Sequence, residues 1–330
     1  DETGASLITH HSSLITHKMR AYHDFRLFYN QSIHPELLHL EQRRRRLVRL
    51  LGLSVLLLLG AVLLQVFIQI FIVSLLLFIP AGMWLSYIAF RIQVYYQEFK
   101  PRIVGLVLDF IDNDINYGAF RYDPKGGIPK EKFLAGKIFT RADEYLAEDL
   151  ITGQVREMPF ELCELRVREF SDVRTRLDYV FRGVFLIGDF RRTDMSGGIL
   201  MLPDAYRKYL SRSEKAFHLI GGRRVRSKLL PEFETFFDTY ATPNMRIADI
   251  LSEDLQRGIL KFRQHFQQSN RAKEIYLSII DGKVYIALTQ DKDLLEPSLF
   301  QNTVSFEVVQ EFYYDIGMLT AILQEMDVMN

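Results

Sequence analysis

Between Leu47 and Phe90 the chain runs for 44 residues with Arg49 as its only charged side chain. As one helix this run would be about 66 Å long at 1.5 Å per residue, twice the roughly 30 Å hydrocarbon core of a bilayer. A single span therefore fails, and the run predicts a transmembrane hairpin of two helices over about 47–66 and 69–90. The tight turn falls at Gln65–Gln69, whose two glutamines are the only amides of the stretch. Pro80 and Gly82 lie within the second span, where proline is tolerated because neighbouring groups satisfy the freed backbone. Trp84, Tyr87, Tyr95 and Tyr96 read as aromatics near its exit. Arg43, Arg44, Arg45, Arg46 and Arg49 flank the first span, and Arg91, Lys100 and Arg102 follow the second, while the intervening turn is uncharged. Positive flanks stay inside, so the expectation is a multi-pass protein of the inner (plasma) membrane with both termini cytoplasmic. The run Arg43–Arg46 has two readings that do not exclude each other, a topology signal and a site for anionic lipid headgroups.

A length of 330 residues with 48% hydrophobic content leaves room for one or two folded units beside the membrane segment. Formal net charge is zero, so no global field recruits nucleic acid, and any functional charge is local. The lone Cys163 excludes an intramolecular disulfide framework. Residues 6–12 and 13–18 form a direct repeat ahead of Met19. His10, His11 and His17 in it have no carboxylate or cysteine converging on them, so 1–18 reads as a disordered or non-native extension. Residues 19–46 read as an amphipathic segment, with Pro35 near a helix start and Glu36 in its first turn. The sequon at Asn30 matters only outside the cell.

Residues 91–330 read as a cytoplasmic domain, with a subdivision near 240. Residues 91–115 continue as a helix, interrupted at Pro101, with Ile103, Val104, Leu106, Val107, Phe110 and Ile111 as its apolar stripe. Strand patterns follow at 137–139, 161–170, 177–190, 198–202, 217–225 and 233–240. A helix over about 247–267 precedes strands at 275–280 and 283–288, joined by Asp281-Gly282, the strongest short hairpin signal. A helix over about 304–326 closes the chain. Strands in runs, without strict alternation with helices, predict an α+β fold with a largely antiparallel sheet and flanking helices.

Five segments carry a family resemblance: Tyr145 to Gly153, Phe181-Arg-Gly-Val-Phe185 with Phe190, Gly197 to Pro203, Phe233 to Tyr240, and Asp293 to Pro297. Together with the arginine-rich lead and the apolar hairpin, they resemble a bacterial and archaeal membrane-protein family known as domain of unknown function 3137, from about residue 25 to the end. The resemblance implies membrane location and supplies no catalytic residues.

The motifs that could carry chemistry are near misses. Gly136-Lys137 lacks the earlier glycine of a P-loop, and Ile138 stands where Ser or Thr would bind magnesium. His218 and His265 stand alone, and Cys163 sits in a strand pattern without a histidine nearby. Residues 112–123 resemble a calcium loop at positions one, three and five, but Tyr117 replaces the required glycine and Asp123 the bidentate glutamate. No metal or other cofactor is expected. Gly221-Gly222 is followed by Arg223, Arg224, Arg226 and Lys228, a basic patch suited to an anionic lipid or phosphate, or else a solvated turn balanced by Glu232 and Glu234. The expected function is a noncatalytic, membrane-tethered module binding membrane lipid, a protein partner or a second copy of itself. Two other classes stay open: an enzyme built from scattered residues around Glu148 and Asp149, and an accessory subunit of a transport assembly.

Overall fold

The structure, a computed structural model, describes residues 23–68, 71–112, 117–171, 174–190, 197–204, 208–226, 229–245, 247, 250–268, 273–290, 295–302 and 304–328. The histidine repeat within residues 1–18 lies outside them. Two compact units emerge, one drawn from Asp1–Phe110 and Leu295–Gln310, the other from Ile111–Leu294 and Glu311–Asn330.

In the first unit the apolar run is carried by α1 (His34–Ile68) and α2 (Phe71–Asp112). Residues 23–28 are also helical and enter α1 through a π turn at Tyr29–Ile33, where the His34 N–H reaches back to the Tyr29 carbonyl. Pro35 follows at once and has no N–H to donate, so the widened turn sits where the ordinary ladder fails. The two helices run antiparallel. Arg102 pairs with Glu36 at 2.6 Å, Arg43 with Glu98 at 2.6 Å, and the Trp84 indole donates to Ser54 Oγ at 3.0 Å. Phe28 lies on Phe110 with ring centroids 4.9 Å apart. α1 passes through Gln65 to Ile68, later than the expected turn, and Gln69 lies outside the described residues. α2 passes through both Pro80 and Pro101, so the expected interruption at Pro101 is absent. Burial of Ile103, Val104, Val107 and Leu108 directly after it outweighs the hydrogen bond that proline removes. Among the described residues one helix, residues 23–63, is long and apolar enough to cross a membrane, with a mean hydropathy of 2.1 over its most apolar stretch. Large side chains of its most apolar part point outward: Leu56, Leu57, Leu59 and Leu63 are 58–66% exposed.

The second unit is a nine-stranded sheet in the order β1-β2-β3-β4-β9-β8-β5-β7-β6. Its strands are β1 (Tyr117–Asp123), β2 (Glu144–Val155), β3 (Met158–Ser171), β4 (Arg176–Asp189), β5 (Gly198–Pro203), β6 (Arg223–Arg224), β7 (Phe237–Ala241), β8 (Ile275–Ile280) and β9 (Lys283–Thr289). Every strand pairing among the described residues is antiparallel. The fold is therefore α+β, mixing helices with an antiparallel sheet. Asp281 and Gly282 both have positive φ, 50° and 72°, as the two-residue hairpin turn demands. The β8–β9 hairpin enters the middle of the sheet, with β9 beside β4 and β8 beside β5.

One face of the sheet carries an aromatic core. Phe133 of α3 (Lys130–Ala135) stacks on Phe139 with centroids 5.1 Å apart and meets Phe185 edge-on at 4.9 Å. Cys163, Leu165, Phe181 and Tyr276 complete it, joined by Phe217 of α4 (Lys208–Leu219). Side chains alternate along a strand, so Met158, Leu162, Leu186 and Val284 point to the opposite face. There a Cβ at Gly188 would meet Leu323 of α6 (Phe306–Val328), Val284 and Met158 at 2.9–3.0 Å, so glycine is what lets the three close over the strand.

Several local expectations are corrected. Residues 137–139 form no strand, because Lys137 has a φ of 54° and turns the chain. Residues 217–225 hold the end of α4, a turn and two residues of strand. The helix expected from 247 begins as α5 (Glu253–Gln268), after Ser252, whose Oγ accepts the Leu255 N–H at 3.1 Å as an N-cap does. β1 occupies part of the calcium-like stretch in extended form, which does not wrap an ion; residues 113–116 lie outside the described residues.

Gly183 explains part of one recognised segment. It has a φ of 148°, and a Cβ there would lie 2.0 Å from the Leu288 carbonyl on β9. No side chain fits between β4 and β9 at that point. Gly183→Ala should therefore destabilise the protein by roughly 3 kcal/mol or more, read as a lower denaturation midpoint in detergent. A loss under about 1 kcal/mol, the average for an arbitrary substitution, would contradict this packing.

Candidate functional site

The basic patch begins where α4 ends. Gly221 has a φ of 90°, its N–H bonds the His218 carbonyl at 3.0 Å, and the Gly222 N–H bonds the Phe217 carbonyl at 3.1 Å. This is the Schellman ending that glycine permits. Gly222 is needed for a second reason: a Cβ there would lie 2.1 Å from the Phe217 ring. The chain then turns into β6, the last strand at one edge of the sheet, where Arg223 and Arg224 pair with Ala241 and Tyr240 of β7.

The arginines differ in how far they are committed. Arg224 is held by Asp238, whose carboxyl is nonetheless shifted above the usual range by burial, with Arg224 opposing the shift. Arg226 lies 4.0 Å from Glu234 with its side chain 87% exposed, and Arg223 is exposed on the strand edge. Lys228 lies outside the described residues. Exposed aliphatic side chains surround these cations in the sequence: Leu219 is 89% exposed, Ile220 41%, Val225 39% and Leu229 39%. Local sequence does not announce that combination, because the dense apolar residues of 217–225 read as a strand. Only the Gly-Gly pair signalled a break. Apolar side chains beside arginines at an exposed turn suit the headgroup region of an anionic bilayer, where the aliphatics enter the interface and the guanidinium groups meet phosphate.

The second predicted cluster, Arg43–Arg46, belongs to the helical unit and is largely committed to the protein itself. Arg43 holds Glu98. Arg44 is buried, donates to both Glu41 oxygens at 2.7 Å and gives a third hydrogen bond to the Leu299 carbonyl at 2.5 Å. Arg45 also reaches Glu41, at 2.7 Å, while Arg46 is exposed. The Arg44 hydrogen bonds hold the Glu41 carboxyl down to about 2, against the opposing effect of burial.

Other polar groups in the sheet unit serve structure. Asp315 is fully buried, accepts Lys273 at 2.7 and 2.8 Å and Gln290 at 2.6 Å, and burial pushes it up to about 6 with Lys273 opposing. Glu148 is paired with Arg166 at 2.5 Å, and Asp149 accepts from the Tyr122 hydroxyl. Cys163 is buried, which pushes its thiol up to about 12 and leaves it a poor nucleophile. His218 contacts the Gly222 carbonyl at 2.6 Å in the turn itself. Among the described residues no group of three or more His, Cys, Asp or Glu side chains is placed to hold a metal ion.

With this geometry established, the family models can be compared. Residues 179–328 match the family described as Protein of unknown function (DUF3137). The DUF3137 stretch takes in most of β4 and everything from β5 to the end of α6, including the basic edge and four of the five recognised segments. Tyr145 to Gly153 and the long helices α1 and α2 fall outside it. No curated protein and no solved structure matches the chain.

Glu41 gives a pH test. Its carboxyl lies at about 2, below its usual 4.5, so the stability it contributes is complete above about 4.5 and is lost as pH falls toward 2. The upper bound is about 3 kcal/mol at pH 7. Glu41→Gln should lower the unfolding temperature in detergent at pH 7, and its deficit relative to the wild type should shrink steadily below pH 4.5. A deficit independent of pH would remove the ion pair as its cause.

Proposed function

We propose that the protein is a noncatalytic module tethered to the inner membrane by a two-span hairpin, with both ends on the cytoplasmic side, and that its β6 edge binds anionic lipid. The observation that carries the tether is the outward-facing apolar surface of α1, with Leu56 and Leu63 at 66% and 60% exposure, preceded in the sequence by Arg43–Arg46 and followed by a second apolar stretch. Burying such side chains in hydrocarbon removes roughly 25 cal/mol per Å² of unfavourable hydration. The arginine flanks support the inward orientation of both ends. A tether also raises the local concentration of the sheet unit at the bilayer, so a patch with few cations is enough for reversible contact. Roughly 1 kcal/mol per basic residue near an anionic surface, added to the partial insertion of Leu219 and Ile220, gives such contact without a deep pocket.

A protein partner is the second reading. It rests on a different surface, where Leu146, Phe170, Leu177 and Tyr179 are each 41–52% exposed and Arg168 stacks on the Tyr179 ring at 4.3 Å.

The lipid reading is tested by placing a spin label at Leu219→Cys in the full-length protein, reconstituted in nanodiscs. Buried Cys163 stays unlabelled. With anionic lipid, collisions of the label with dissolved oxygen should rise relative to collisions with a water-soluble nickel complex, and Arg223→Ala/Arg226→Ala should abolish the rise. Equal accessibility in neutral and anionic discs would exclude this edge as a lipid contact.

A further inference from the structure

Residues 295–302 form a strap on the helical pair, and its path can be followed contact by contact within that unit. Glu296 takes Lys100 of α2 at 3.0 Å. One turn nearer the apolar stretch, the Leu299 N–H donates to the Tyr96 hydroxyl at 3.2 Å while its carbonyl accepts from Arg44 of α1 at 2.5 Å. The chain then bends and descends: by Phe306 it is packed against Phe25 and Tyr29, with centroids 6.3 and 4.8 Å away, at the opposite end of the pair. Of the three points that these contacts fix, Leu299 lies nearest the apolar run, and Phe300 follows it directly.

There the two neighbouring side chains part company. Leu299 is 6% exposed and Phe300 is 77% exposed. Arg44, which holds the Leu299 carbonyl, stands three residues before Leu47, a rise of about 4.5 Å along the helix. An interface layer several ångströms deep flanks the hydrocarbon on each side, and aromatic side chains collect in it. An exposed phenylalanine one residue beyond a backbone held by a buried arginine and a tyrosine hydroxyl suits that layer.

We infer that the strap is an interfacial anchor, which the Glu41–Arg44 clamp holds so that Phe300 is seated in the headgroup layer of the membrane. The inference rests on the tether proposed above, since it takes its depth scale from the apolar run. The ligand is a phospholipid surface, recognised by insertion of an aromatic ring rather than by a specific headgroup.

The test uses the single tryptophan of the chain, Trp84, whose indole bonds to Ser54 within the apolar run. The full-length protein is reconstituted in vesicles containing phospholipids brominated either near the headgroup or deep in the acyl chain. Wild-type Trp84 should be quenched by lipid bromines, which reads out the tether. In the Trp84→Phe/Phe300→Trp variant, the introduced indole should be quenched at least twofold more by shallow bromines than by deep ones. Quenching of Trp84 in the wild type without quenching in the variant would overturn the anchor and leave the tether standing. Absence of quenching in both proteins would overturn the two together. Phe300 is exposed, so the substitution leaves the packing of Leu299 and the clamp in place; unchanged thermal unfolding of the variant confirms this.

Discussion

A buried arginine that satisfies a glutamate and a backbone carbonyl at once is the constraint on which the helical unit depends. Charges removed from water are costly unless paired and hydrogen-bonded, and Arg44 meets the condition with both Glu41 oxygens and the Leu299 carbonyl. Arg43 with Glu98 and Arg102 with Glu36 repeat the pattern across α1 and α2. These pairs fix which turn of one helix faces which turn of the other, a choice that an all-leucine surface leaves open because hydrophobic contact is not directional. The arginine run before the apolar stretch therefore has two physical roles. Under the proposed topology it supplies the charge asymmetry that orients the spans, and in the helical unit it sets the register of α1 against α2 and holds the strap against them.

The sheet unit meets a different problem, which is how to end nine strands. An exposed strand edge invites pairing with another chain, and short, charged edge strands discourage it. β6 fits that description: it is two arginines long, Arg224 is held by Asp238, and one further backbone bond, from the Val225 N–H to the Thr239 carbonyl at 2.9 Å, ends the pairing. Its cations thus protect the edge whatever else they bind, and the exposed aliphatics beside them are what edge protection alone leaves unexplained. The interior of the sheet is secured by the β8–β9 hairpin, and Gly183 allows β4 and β9 to approach without a side chain between them.

Much of this architecture was legible in the residues. The strand pattern of β3 and the Asp-Gly turn each carry a period or a turn chemistry that belongs to one structure. What was hidden depended on distant contacts. Phe217 to Val225 reads as a strand because its apolar residues are dense, yet Phe217 is the last inward side chain of α4, and the glycines that follow end the helix. β2 is hard to read because Glu144, Glu148 and Asp149 dilute its apolar pattern; Glu148 pairs with Arg166 on the neighbouring strand. The pairing of Glu41 with Arg44 is visible as a spacing of three on a helix. The Leu299 carbonyl that completes it is 255 residues away, and no local pattern announces it. The same holds for the exposed aliphatics of the basic edge, which local sequence marks as core.

The central claim is a hairpin through the membrane with both ends inside, and cysteine accessibility in intact cells tests it most directly. Cys163 is buried with its thiol shifted upward, so Gln69→Cys and Asn330→Cys can each be labelled against a silent background with a membrane-impermeant maleimide. The account predicts that Gln69→Cys reacts in intact cells and Asn330→Cys only after permeabilisation. Reaction of Asn330→Cys in intact cells, or protection of both positions until permeabilisation, would contradict it.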